Sequence, residues 1–201
     1  VNPDLFPDIV SASGVFPALL DTCVLYPSIL RNVLLEAAHQ QLYRAHWSTK
    51  VLVELERNLR QSGRSDNYIQ RLCATMNEAF PEAVVDVDED LARSLACDPK
   101  DRHVLAAAIS SRSEILVTLN IKDFPMTATA PFGVDVLRPD DFLLDLFELS
   151  RPRMMACLEA VANRHKRFPC TLEEMLQSNG LNQVAPGFTR TCRDYLISRP
   201  Q

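Results

Sequence analysis

Three positions in this chain carry an acid that is hard to dismiss as surface charge. Asp21 ends the apolar run Phe16-Pro17-Ala18-Leu19-Leu20 and is followed by the equally apolar Val24-Leu25, so it stands in a segment that reads as buried. A carboxylate taken out of water without a partner is costly, so Asp21 needs a hydrogen-bonding, cationic or metal partner. A structural cap for the turn into the next helix is its plainer role; the buried flanks favour a metal ligand. Asp101 lies in Asp98-Pro99-Lys100-Asp101, the start of a helix running to about Arg112. Proline suits the first helical position, which makes Asp98 the expected N-cap and puts Asp101 in the first turn. Capping accounts for Asp98 and only partly for Asp101, so Asp101 is taken as a ligand. The third position is Glu54 or Glu56, both flanking the apolar stripe of one helix. Helical spacing does not choose between them, and a solvated glutamate is the usual state of either.

Other groups earn less. Asp86, Asp88, Glu89 and Asp90 form the densest acidic run, which reads as the solvated start of a short helix. His46 and His103 are isolated and read as structural, and Cys23 lacks the partner pattern of a nucleophilic thiol. Five glycines leave no phosphate-cradling loop. A phosphatase of the haloacid-dehalogenase type would need a second Asp two residues after Asp21, where Cys23 stands. The six cysteines show no C-x-x-C pair, which argues against structural zinc and for reduced thiols. With no basic segment leading into an apolar core at the start and no apolar run near the roughly 20 residues of a spanning helix, a cytoplasmic protein without a membrane segment is expected.

Charge is uneven along the 201 residues. Residues 1–144 carry 13 Lys/Arg against 20 Asp/Glu, and residues 145–201 carry 8 against 6, giving −7 and +2. Bulk electrostatics therefore do not favour nucleic acid, whereas acids gathered on divalent cations would reverse the local field.

The elements that must position these acids follow from periodicity. Ala18–Thr22, Ala83–Val87, Ile115–Leu119 and Val134–Leu137 read as short buried strands. A helix runs from Tyr26 towards Leu42, a second follows a Ser48 cap until Gly63, and a third runs from Asp66 to Phe80. Further helices follow Asp88 and Asp98, and another covers Asp140–Leu149. Strands separated by helices predict an α/β domain with a mostly parallel sheet over residues 16–149, behind a tail at 1–15. Beyond it, residues 150–201 read as an all-helical extension: Arg151–His165, Thr171–Ser178 with a Thr171/Glu174 capping box, and Phe188–Ile197, with Gly180 and a Pro186-Gly187 turn as punctuation. Arg164-His165-Lys166-Arg167 is its one sharp charge run, read as a solvated helix end. In open α/β sheets ligands sit at the carboxyl ends of strands. Asp21, the Thr118-Leu119-Asn120 segment and the Asp101 helix would converge there.

The segments "LLDTCVLYP", "VLVELERNL", "DPKDRHVLAAAI" and "VTLNIKDFP" resemble, in order and rough spacing, those of PIN-domain proteins, most closely VapC-like ribonuclease toxins of toxin–antitoxin systems. The resemblance covers about residues 16–140. It implies a three-layer α/β/α sandwich whose acids bind Mg²⁺ or Mn²⁺ and cut RNA by metal-activated water, leaving 5′-phosphate and 3′-hydroxyl ends. By analogy alone it selects Glu54 over Glu56, and it assigns Asp21, Glu54 and Asp101 as catalytic metal ligands. Where many PIN domains carry a fourth acid this chain has Asn120, with Asp123 three residues on as its possible replacement. Thr22, Thr118, Arg102 and Lys122, with Lys100, become candidate substrate contacts. A cognate antitoxin and a homodimer are the implied partners. The alternative is a PIN scaffold with impaired catalysis that binds RNA or protein.

Overall fold

The computed structural model describes residues 15–164 and 171–198. The expected tail, apart from Val15, and most of the Arg164–Arg167 run lie outside the described residues. In chain order the elements are β1 (Pro17–Leu20), α1 (Thr22–Leu25), α2 (Ser28–His39), β2 (Arg44–Ser48), α3 (Thr49–Gln61), α4 (Asp66–Ala79), β3 (Val84–Val85), α5 (Glu89–Ser94), α6 (Arg102–Ser110), β4 (Ile115–Val117), α7 (Met126–Thr129), β5 (Asp135–Leu137), α8 (Pro139–Leu149), α9 (Arg151–Arg164), α10 (Leu172–Gln177), α11 (Asn179–Asn182) and α12 (Pro186–Ser198).

The five strands form one sheet in the order β3-β2-β1-β4-β5, with every pairing parallel. β1 is central and all four of its residues are buried, as a parallel strand covered on both faces must be. The connection from β1 to β2 steps one way across the sheet, and that from β3 to β4 steps back past both. Right-handed crossovers then put α2 and α6 on opposite faces, giving three layers. The direction in which strands are added reverses between β1 and β4, so their carboxyl ends flank the topological switch point.

Local chemistry explains most boundaries. Ser48 caps α3, its Oγ accepting from Val51 N at 3.2 Å. Asp88 Oδ1 caps α5 by accepting from Asp90 and Leu91 N–H. Thr171 and Glu174 make the reciprocal capping box at α10. Gly63 takes a positive φ of 82° beyond α3, a conformation glycine adopts without steric cost.

Several expectations are corrected. The helix begun near Tyr26 stops at His39, and the next residues turn through Gln41 (φ 57°) into β2, a strand absent from the sequence reading. Asp98 is not the N-cap of α6. Its Oδ1 instead accepts from Lys100 N at 2.9 Å in a turn, and the helix begins three residues later, behind Asp101. Pro186-Gly187 is not a turn ahead of the last helix but opens α12, and Gly180 lies within α11.

The helical extension is fastened to the α/β layers rather than tethered loosely. α9 packs on α2 and α8, and α12 packs on α8. Asp140, in the first turn of α8, accepts from Gly187 N (3.1 Å) and Phe188 N (2.8 Å), capping α12 from another helix. Buried Glu36 on α2 pairs with Arg164 at the end of α9. Among the described residues no helix is long and apolar enough to cross a membrane.

Candidate acidic site at the switch point

Register brings the first acid to its place. Leu20 of β1 pairs with Val117 of β4, so Asp21 and Thr118 leave the sheet side by side. Thr118 Oγ1 donates to Asp21 Oδ2 at 2.7 Å, and Cys23 Sγ donates to the same oxygen at 3.1 Å. Asp21 is only 5% exposed, and both bonds fall on Oδ2; Oδ1 takes no hydrogen bond among the described residues. Cys23 also accepts from Leu119 N at 3.2 Å. Burial, and then the charge of Asp21, push the Cys23 thiol up to about 12, so the sulfur stays protonated and serves as a donor.

The two glutamates of α3 differ in position. β2 runs into α3 without a loop, so α3 crosses near the end of β1. Thr22 Oγ1 donates to Glu54 Oε2 at 2.9 Å, and His103 Nε2 lies 3.4 Å from Glu54 Oε1. Glu56 turns the other way, towards Cys73 on α4. His103, read as structural from the sequence, therefore lies against Glu54. Its place two residues after Asp101, and the place of Cys23 two residues after Asp21, were the available signals.

Asp101 precedes α6 and makes no side-chain capping bond. Burial first, and then the charges of Asp21, Asp123, Asp98 and Glu54, together raise its carboxyl to about 6. A helix N-terminus ordinarily favours the anion; here desolvation and like charges win. Asp123 sits half-buried in the 3-10 turn Ile121–Asp123, and its carbonyl accepts from Asp98 N. Asn120 is exposed and contributes its backbone N–H to Thr118 Oγ1 at 3.0 Å. Arg102 Nε is buried without a hydrogen-bond partner among the described residues, and Lys122 and Lys100 are exposed.

The donors around Asp101 are hard carboxylate oxygens, the set suited to Mg²⁺ or Mn²⁺. As they stand, no three His, Cys, Asp or Glu side chains among the described residues are gathered tightly enough to hold one ion. Two carboxylates about 4 Å apart repel by roughly 4 kcal/mol at an effective dielectric near 20, so a spread cluster is the arrangement expected of such charges alone. The residue types fit a divalent cation.

The PIN domain profile matches residues 17–122, just over half of the chain and every acid of this cluster but Asp123. The chain belongs to the PIN-domain family. In this PIN protein a second profile, the VapC50 C-terminal domain, matches residues 139–194, from α8 into α12. The chain is 36% identical over 104 residues to a relative named "Putative ribonuclease VapC50" from Mycobacterium tuberculosis (strain ATCC 25618 / H37Rv). That alignment takes in 52% of this chain and 60% of the relative, so the match spans less than two thirds of the relative's length. No solved structure matches the chain.

Proposed function

We propose that this chain is a divalent-metal-dependent endoribonuclease acting in the cytoplasm, the toxin of a toxin–antitoxin pair, with RNA as substrate and a cognate antitoxin as restraint. The observation that carries the reading is Asp101, a half-buried acid raised to about 6 and surrounded by the charges of Asp21, Glu54, Asp98 and Asp123. PIN-family membership and the printed name of the relative support it.

In this reading Asp21, Glu54, Asp101 and Asp123 hold Mg²⁺ or Mn²⁺. Asp123 rather than Asn120 fills the fourth place, supported by its effect on Asp101, with Asn120 as a neutral oxygen at the rim. Such an ion, when bound, supplies Lewis acidity at a phosphate oxygen and lowers the pKa of a water. The chain's own part is orientation. Thr118 and Cys23 fix Asp21, Thr22 and His103 fix Glu54, and in this reading Arg102 and Lys122 meet the RNA backbone. Residues 16–149 form the nuclease unit and residues 150–201 the helical extension.

A second reading, a PIN scaffold that binds without cutting, is favoured by the exposed Asn120 where a fourth acid is common. One assay separates them: purified protein with total RNA in Mg²⁺ or Mn²⁺, beside EDTA and Asp101→Asn. The nuclease cuts RNA, and both controls abolish cutting. Binding without cutting under every metal favours the scaffold.

A further inference from the structure

A second polar feature lies one turn of α1 beyond Thr22. A cavity of about 300 Å³ is bounded by Tyr26, Ser28, Arg31, Ser62, Arg64 and Tyr68, where α2 begins, α3 ends and α4 begins, and no acid lines it. Leu59, also in its wall, is five residues along α3 from Glu54, about 7.5 Å at the helical rise.

Arg31 is the unusual member. It is 2% exposed and has no ion pair among the described residues. Nη1 donates to Leu25 O at 2.8 Å, Nη2 reaches Tyr68 Oη at 3.5 Å, and Nε is buried without a partner. A buried charge is normally paired, and a guanidinium does not escape by losing its proton. Among the described residues the positive field of Arg31 is thus met only by the neutral oxygens of Leu25, Tyr26 and Tyr68, with no acid to balance it. Arg64 adds an exposed cation 5.6 Å over the Tyr68 ring. The acid of that turn, Asp66, is already held by Arg60 at 2.9 Å. Tyr26 and Tyr68 expose 39% and 40% of their surface at the rim. At the cavity mouth α2 begins with no acid in its first turn and no side-chain cap, so its free N–H groups add to the same field.

We propose that this cavity is a subsite for a backbone phosphate of single-stranded RNA next to the bond cut at the acidic cluster, with Arg64 contacting the phosphate, Arg31 as a fixed charge behind it, and Tyr68 or Tyr26 stacking the adjoining base. Cations set beside exposed aromatic faces suit single-stranded nucleic acid, and they suit an acidic peptide less well because a carboxylate has no ring to stack. The proposal rests on the ribonuclease reading for its substrate, and its test separates the two.

The test measures anisotropy of a fluorescein-labelled single-stranded oligoribonucleotide with the full chain in EDTA, for wild type, Arg64→Ala, Tyr68→Ala and Tyr68→Phe. Arg31, being buried, is left unaltered. Arg64→Ala is expected to weaken binding about 5–10-fold and to reduce the slope of log affinity against log salt by about 0.7. Tyr68→Ala weakens it by about 5-fold or more, and Tyr68→Phe leaves it near wild type. In Mg²⁺ the two alanine variants raise KM and keep kcat. Unchanged affinity in both alanine variants overturns the subsite, as does a polyglutamate peptide that displaces the RNA at equal concentration. A wild type that never cuts, with the variants still losing affinity, leaves the subsite standing and removes the nuclease; a wild type that cuts, with variants that bind and cut like it, removes the subsite alone.

Discussion

Thr118 Oγ1 donates to Asp21 Oδ2 at 2.7 Å, joining the ends of β4 and β1 across 97 positions of sequence. The bond orients a nearly buried carboxylate at the topological switch point of the sheet. Thr118→Val keeps the shape and removes the donor, leaving Cys23 alone on Oδ2. The expected cost is about 1–3 kcal/mol of folding stability, the penalty for a buried acceptor that loses its partner, read from urea unfolding. Thr118→Ser should recover most of it.

Glu54 is fixed from two elements, by Thr22 at 2.9 Å and by His103 at 3.4 Å. Groups that orient a ligand typically matter about 10–100-fold. Thr22→Val is therefore expected to lower RNA cleavage by about that factor with the circular dichroism spectrum unchanged, and Thr22→Ser to restore it. A cleavage rate equal to wild type in Thr22→Val removes Thr22 from the site.

The raised Asp101 carboxyl makes stability depend on pH with a definite sign. Its folded value is about 6 against an ordinary 3.8. Between those values the folded protein binds a proton that the unfolded chain has released, so this group lowers stability as pH rises through the interval. The penalty is complete above about pH 6 and absent below about pH 4. Asp101→Asn should therefore melt above wild type at pH 7.5 and level with it near pH 4, in paired thermal melts. A lower melting point at pH 7.5 contradicts the electrostatic account of the cluster.

The extension depends on a cap supplied by a different helix. A Cβ at Gly187 would stand 2.9 Å from Asp140 Oδ2, so Gly187→Ala displaces the carboxylate that accepts from Gly187 and Phe188 N–H. Asp140→Ala removes it outright. Each is expected to cost about 1 kcal/mol, the usual value of a lost N-cap, and to speed hydrogen exchange in α12 ahead of the sheet. Exchange that rises equally everywhere contradicts a local latch.

Much of this was legible in the sequence where a single local rule governs. The Ser48 and Asp88 caps, the Thr171/Glu174 box and the buried strand before Asp21 depend on neighbours within a few residues. β2 was missed although Arg44-Ala45-His46-Trp47-Ser48 alternates polar and apolar as a half-buried strand does, because five residues between two long helical patterns make a weak signal. Its identity as a strand comes from pairing with β1 and β3 and from burying Trp47 against Phe80. Asp98 was misplaced as the N-cap, and Asp101 as a first-turn residue, because proline permits more than one start, and the turn closed by Lys100 N won. Glu54 and Glu56 could not be told apart by spacing, since only the approach of α1 to α3 gives one of them a partner in Thr22.

The central claim is that Asp21, Glu54 and Asp101 share a divalent cation. Titration with Mn²⁺, followed by the paramagnetic resonance of the free ion, tests it in wild type, Asp21→Asn, Glu54→Gln and Asp101→Asn, with Glu56→Gln as the control facing Cys73. The account predicts saturable binding that weakens at least about tenfold in each of the first three variants and is unchanged in Glu56→Gln. Equal Mn²⁺ affinity in all five proteins would contradict it.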